Sequence, residues 1–242
     1  MVLIYIVRHG ETEMNVDERV NDSNIDTEIN KNGKKQAKKT GEYLKKIRKL
    51  NGDNCHIYTS PALRTVQTAS IIKNIINKDI KMISDIRLIE TDKGKLSGLR
   101  YTDKDFVDYE NAIDKVMKKG DTLYKSEIII PTLNKLNPKY NVEPMEHVET
   151  RIKEFFNELP MDKPNIVLVT HSGIITNIII CIMNIHNIMK GDQTKGKNCT
   201  ITVIKKEKEK IKDHKNPIHH IDISIRINQK YTLMTFPNTE HL

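Results

Sequence analysis

Arg8-His9-Gly10, Ser60-Pro61 with Arg64 three residues on, and His171-Ser172-Gly173 each follow a short, largely apolar and β-branched run. They hold the residue types best suited to chemistry on a phosphate. A guanidinium presents a planar fork that matches two phosphate oxygens, and the lone pair of a neutral imidazole can attack phosphorus. Taken singly, each has a plainer explanation, because a histidine just after a strand commonly serves as a hydrogen-bonded turn residue. Two histidines and two arginines at equivalent strand ends point together to phosphoryl chemistry. Arginine is also scarce, at 8 of the 40 basic residues, so each well-placed one is informative.

Those positions matter only if the strands lie side by side. In an open α/β sheet the loops leaving the carboxyl ends of the strands converge on one ligand crevice. The apolar pattern predicts strands over 2–7, 56–59, 80–83 and 165–170. Asn30 can cap a helix over 31–50 with Ala37, Leu44 and Ile47 on one face. Ser60 reads as the cap, and Pro61 as the first position, of a helix carrying Leu63, Val66, Ala69, Ile72 and Ile76. A helix beginning at Glu143-Pro144 carries Val148, Ile152 and Phe155 to Leu159, and 174–188 is a strongly apolar helix. The segment 91–142 is less regular, with a helix near 102–119, and reads as an insertion on the sheet. In the tail, 200–204 and 221–227 read as two strands joined by the charged stretch 205–217. The expected fold is a single α/β domain over 1–242, a three-layer sandwich with a mostly parallel central sheet, helices on both faces and a C-terminal edge hairpin.

Composition narrows the function classes. A chain of 242 residues can bury a core without covalent staples. The net charge of +8 comes from lysine runs interleaved with glutamate, and with no Trp and 5% aromatics there are few platforms for base stacking, so a nucleic-acid partner is not expected. No apolar run is long enough to span a bilayer, and the apolar N-terminus lacks the basic start and cleavage site of a signal peptide. Neither a membrane partner nor export is expected. Cys55, Cys181 and Cys199 are odd in number and far apart, which fits a reducing, cytoplasmic setting better than a disulfide framework or a zinc knuckle. His219 and His220 are adjacent in a predicted strand and so face opposite ways, a poor metal site.

Arg8-His9-Gly10-Glu11-Thr12, with Asn15 three residues on, resembles the signature of the histidine phosphatase superfamily, which includes the cofactor-dependent phosphoglycerate mutases. Further blocks follow in the family's order: Gly33 with Gln36-Ala37 and Gly41, Ser60-Pro61 to Arg64 then Gln67-Thr68-Ala69, Leu88 with Glu90, Gly94 and Gly98, Glu143 with Val148 and Arg151, Thr170 to Gly173, and Asn198-Cys199-Thr200. The resemblance implies that His9 is the nucleophile that becomes phosphohistidine. It implies that Arg8, Arg64 and His171 hold the phosphoryl oxygens, and that Glu90 is the general acid which then activates water. Thr12 and Asn15 would donate hydrogen bonds to the phosphate. No metal is needed in this chemistry, because arginines and histidines supply the charge.

Departures from the pattern bear on the substrate. Met14 stands where many relatives have Trp, and Ser172 replaces a common Gly. The insertion lacks the arginine-paired block and the tyrosine-containing loop with which the mutases grip phosphoglycerate. The resemblance therefore favours a phosphomonoesterase acting on small phosphorylated metabolites without a cofactor. A mutase dependent on 2,3-bisphosphoglycerate is the first alternative, and a catalytically silent binding or regulatory relative the second. A small phosphorylated substrate is the expected partner, and self-association is left open. Lys93, Lys95, Arg100 and Lys104, close behind Glu90, would suit a polyanionic substrate or simply a solvated loop.

Overall fold

The computed structural model describes residues 1–48, 50–116, 135, 138–183, 198–207 and 231–238. Its centre is one six-stranded sheet. The strands are β1 (Val2–Arg8), β2 (Cys55–Thr59), β3 (Lys81–Ser84), β4 (Asn165–Thr170), β5 (Ile201–Lys206) and β6 (Tyr231–Asn238), in the order β3-β2-β4-β1-β5-β6. The first four in that order run parallel, and β5 and β6 join antiparallel at the β1 edge.

Side-chain alternation along β1 explains the layers. Ile4 and Ile6 pack with Ile166, Leu168, Phe155 and Ile178 on one face, while Tyr5 and Val7 pack with Val167, Leu44, Ala69 and Ile72 on the other. Both faces are thus buried, as the near-continuous apolar runs require. The first face is covered by α5 (Met145–Glu158) and α6 (Ser172–Met183), the second by α2 (Lys31–Arg48) and α3 (Leu63–Ile76). A short α1 (Glu13–Val16) follows β1, and α4 (Lys104–Val116) belongs to the insertion. There Leu96, Tyr109, Ile113, Tyr140 and Val142 form a separate small cluster. No helix among the described residues is long and apolar enough to cross a membrane.

The α/β sandwich and its parallel strands are as expected, with two local corrections. Helix α3 starts at Leu63 and not at Pro61, and its N-cap residue is Ala62, without a side-chain cap. Ser60 lies outside the helix, its hydroxyl accepting from Ala62 N–H (3.3 Å) and also meeting His171, as described below. The second strand of the terminal hairpin is Tyr231–Asn238, whereas the run 221–227 lies outside the described residues. So do 184–188 of the apolar helix, 117–119 of the insertion helix, and His219 and His220.

Candidate active site

β1, β2 and β4 all end on the same side of the sheet, which brings Arg8, Ser60 and His171 together, with His9 and Arg64 beside them. Strand register does this directly, since Arg8 pairs with Thr170 and Thr59 with Val169. The rings of His9 and His171 lie 5.4 Å apart at 60°.

His9 is 3% exposed, and its Nδ1 sits 2.8 Å from the carbonyl of Gly10. A carbonyl can only accept, so Nδ1 carries the proton and Nε2 keeps its lone pair in the neutral ring. Burial, then the charges of Arg8 and Arg64, hold the His9 pKa well below the ordinary imidazole value. The chain around it is fixed from three sides. His9 N–H donates to Thr170 O (2.9 Å), Gly10 N–H donates to Thr68 Oγ1 (2.9 Å), and Asn198 Nδ2 donates to His9 O (3.1 Å). A Cβ on Gly10 would lie 2.7 Å from Gly33 O, so this loop and the first turn of α2 can approach only as two glycines.

Arg64 has no solvent exposure. Its Nη1 donates to Ile25 O (2.8 Å), and its Nη2 to Asp22 O (2.9 Å) and Asn21 O (3.4 Å). Nε is buried with no hydrogen-bond partner among the described residues. The guanidinium is therefore held by one loop with Nε–H and one Nη1–H left over. Asp22 in turn is buried, and its carboxylate accepts from Lys93 N–H (2.8 Å), the Ser97 hydroxyl (2.7 Å) and Asn24 N–H (3.1 Å). The insertion thus braces the loop that aims Arg64.

Fully buried His171 places Nε2 2.8 Å from Ser60 Oγ, while Nδ1 has no partner among the described residues. Burial, then Arg64, His9 and Arg8, lower its pKa well below the ordinary imidazole value. Nδ1 of His171 and Nε of Arg64 are buried polar atoms that lack partners, a costly arrangement unless a ligand supplies them. An anion with several oxygens fits both.

Glu90 completes the cluster. Its Oε2 accepts from Gly173 N–H (3.1 Å) in the first turn of α6, its Oε1 accepts from Thr91 N–H (3.0 Å), and its charge acts on both Arg8 and Arg64. A Cβ on Gly173 would sit 2.5 Å from Glu90 Oε1. The obstructing atom is the end of a flexible side chain, so Gly173→Ala should fold normally yet displace the carboxylate. Because about 1 Å of misplacement can cost roughly a hundredfold, kcat for an alkyl phosphate should fall about 10- to 100-fold with thermal stability nearly unchanged. A Gly173→Ala enzyme with unaltered turnover of alkyl esters would remove Glu90 from the chemistry.

Thr12 and Asn15 are arranged differently from each other. The Thr12 hydroxyl donates to Asn15 Oδ1 (3.1 Å) and accepts from Asn21 Nδ2 (3.1 Å), so it orients Asn15. Asn15 Oδ1 also accepts from Asn198 Nδ2, and Asn15 Nδ2 is left without a partner among the described residues. Ser60, Asp22 and the contact of Gly173 with Glu90 were not assigned these roles from sequence. In the sequence Asn198 stands out only as part of the Asn198-Cys199-Thr200 block. Among the described residues no group of three His, Cys, Asp or Glu side chains could hold a metal.

Known proteins resemble this chain in sequence and in fold. The family described as Histidine phosphatase superfamily (branch 1) matches residues 4–215. Phosphoglycerate mutase-like protein 4 of Arabidopsis thaliana is 35% identical over 98 residues, covering 40% of this chain and 40% of that protein. The fructose-2,6-bisphosphatase TIGAR of Xenopus tropicalis is 32% identical over 161 residues, covering 64% of this chain and 48% of that one. The match thus spans less than half the length of these curated relatives. A phosphoglycerate mutase from Bacillus anthracis superposes with a TM-score of 0.66 at 21% identity, over 84% of this chain and 87% of that structure.

Proposed function

Because this chain belongs to the histidine phosphatase superfamily (branch 1), a family of phosphatases and mutases, we propose that it is a phosphomonoesterase working through a phosphohistidine. The observation that carries the proposal is the tautomer of His9, locked by Gly10 O so that Nε2 keeps its lone pair, on a ring that feels the charges of Arg8 and Arg64. Nε2 attacks phosphorus, and the ester oxygen leaves with the proton of Glu90. Water, giving its proton to Glu90, then cleaves the phosphorus–nitrogen bond and releases inorganic phosphate. Arg8 and Arg64 offset the charge of the transferring group, the role metal ions fill in other phosphoryl transferases, and His171 Nδ1 donates a hydrogen bond to it. Asn15 Nδ2 is free to donate to a phosphoryl oxygen.

The lowered His9 pKa supports activity into the acid range. A group whose pKa is depressed stays neutral, and nucleophilic, until the pH falls well below the ordinary value. With p-nitrophenyl phosphate, kcat/KM corrected for the ester's own ionisation near about pH 6 should show no acid limb at about 6.5. Phosphate release should also survive excess chelator. The mutase alternative is tested in the same assay. Interconversion of 3- and 2-phosphoglycerate that exceeds phosphate release by orders of magnitude and depends on 2,3-bisphosphoglycerate would replace the phosphatase reading.

A further inference from the structure

The rings of His9 and His171 lie 5.4 Å apart, and among the described residues each has one nitrogen engaged by the protein and one that is not. In His9 the engaged nitrogen is Nδ1, and in His171 it is Nε2. The role of each ring depends on whether its engaged nitrogen gives a hydrogen or takes one. Gly10 O can only accept, so His9 Nδ1 gives. His171 meets a hydroxyl, which can do either, and the direction is set by what else holds that hydroxyl.

Ser60 is fully buried and pinned through all its polar groups. Its N–H donates to Val169 O (3.1 Å), its carbonyl accepts from the hydroxyls of Thr59 (2.9 Å) and Thr65 (2.8 Å), and its Oγ accepts from Ala62 N–H (3.3 Å). The remaining partner of Oγ among the described residues is His171 Nε2 at 2.8 Å, which therefore takes the hydroxyl proton. Were the ring proton on Nε2, Oγ would accept twice and its own proton would be buried without an acceptor, a costly arrangement. Burial and the charges of Arg64, His9, Arg8 and Arg151 keep the His171 ring neutral, so there is a single ring proton to place.

We propose that Ser60 is a positioning residue for phosphoryl transfer: its hydroxyl, held from behind by Ala62 N–H, donates to His171 Nε2 and so fixes the ring proton on Nδ1, where it serves as a hydrogen-bond donor to the phosphoryl group. This rests on the phosphohistidine reading and adds the group that sorts the two histidines. Both rings hold their proton on Nδ1. The shared tautomer makes His9, tied at Nδ1, a nucleophile through Nε2, and makes His171, tied at Nε2, a donor through Nδ1. His171 is also withheld from competing as a nucleophile, because its one unengaged nitrogen carries a proton in place of an in-plane lone pair.

The test uses the full chain with its histidines isotopically labelled on nitrogen. Long-range proton–nitrogen correlations near neutral pH distinguish a protonated ring nitrogen from a bare one, and the His171 signals are those that vanish in His171→Gln. The native chain should show a protonated Nδ1 and a bare Nε2. Ser60→Ala should move the proton to Nε2 in a substantial share of molecules and weaken the binding of inorganic phosphate about three- to tenfold, since only the competent tautomer binds at full strength. Ser60→Thr, which keeps the hydroxyl, should restore both. A native His171 protonated on Nε2, or on both nitrogens, would overturn the proposal, and that result needs no variant to fold. A native-like spectrum and phosphate affinity in Ser60→Ala would take the role from Ser60. Turnover of p-nitrophenyl phosphate checks the underlying reading separately: the expected tautomer and its dependence on Ser60, without phosphate release, would keep this assignment and overturn the phosphatase.

Discussion

His9→Ala should release phosphate from p-nitrophenyl phosphate at least about a thousandfold more slowly than the native chain, as removal of a covalent nucleophile does elsewhere. Rapid acid quenching of the native enzyme under base-stabilised work-up should reveal an acid-labile phosphate on His9 that the variant lacks. The alternative nucleophile is His171, which lies within the same cluster. It is a poorer candidate, because Nε2 is engaged by the Ser60 hydroxyl, and with Nε2 accepting there the neutral ring carries its proton on Nδ1, a donor to the phosphoryl group. His171→Ala should therefore still be labelled, slowly, at His9. Stoichiometric labelling that persists in His9→Ala would assign the nucleophile elsewhere. The truncation opens little room in the core proper, since His9 sits at the mouth of the loop after β1, so the loss should be one of chemistry and not of folding.

The second large effect is expected at Arg64. Three of its five N–H groups are directed at the carbonyls of Asn21, Asp22 and Ile25, and the guanidinium is wholly buried. Lysine keeps the charge but concentrates its donors on one atom, which cannot satisfy two loop carbonyls and a phosphoryl group at once. Arg64→Lys should lower kcat/KM at least about tenfold, and a full loss of the donor, in Arg64→Ala, about a hundredfold or more. Each buried carbonyl left unpaired should also cost about 1–3 kcal/mol of stability. The two consequences separate experimentally. A thermal unfolding scan reports the second, and the affinity for inorganic phosphate reports the first. Normal activity in Arg64→Lys would place the guanidinium outside the reaction.

These expectations depend unequally on what could be read before the fold was known. The strands β1 and β4 were legible because their apolar, β-branched runs are bounded by Pro164 and by the polar loops that follow, and because burial on both faces leaves a near-continuous apolar signature. The placement of His9 and His171 just after strands, and of Arg64 in the helix that follows one, was legible for the same reason, and the signature from Arg8 to Asn15 added the family. These are local properties, written in periodicity and in residues next to one another.

What only the tertiary structure decided is held by contacts between residues far apart in the chain. Ser60 looks like a helix cap by its neighbours, yet its hydroxyl serves His171, 111 residues on. Glu90 looks like a loop carboxylate, and Gly173, 83 residues on, is what holds it. Asp22 carries no motif at all; it matters because its carbonyl meets Arg64 and its carboxylate meets the insertion. The charge beside Glu90 was likewise hidden. Lys95, Arg100 and Lys104 are close to Glu90 along the chain yet exposed, whereas Lys93 is half-buried with its charge acting on Tyr101, which Arg8 and Glu90 also reach; Asp92 and Glu143, 51 residues apart, are brought together by the loop hydrogen bond from Asp92 N–H to Glu143 Oε2. Chemistry at the phosphorus is carried by residues whose types and strand-end positions are written locally. The surface beside Glu90 is assembled from distant segments, and sequence proximity is a poor guide to its charge because electrostatic interaction follows distance in space.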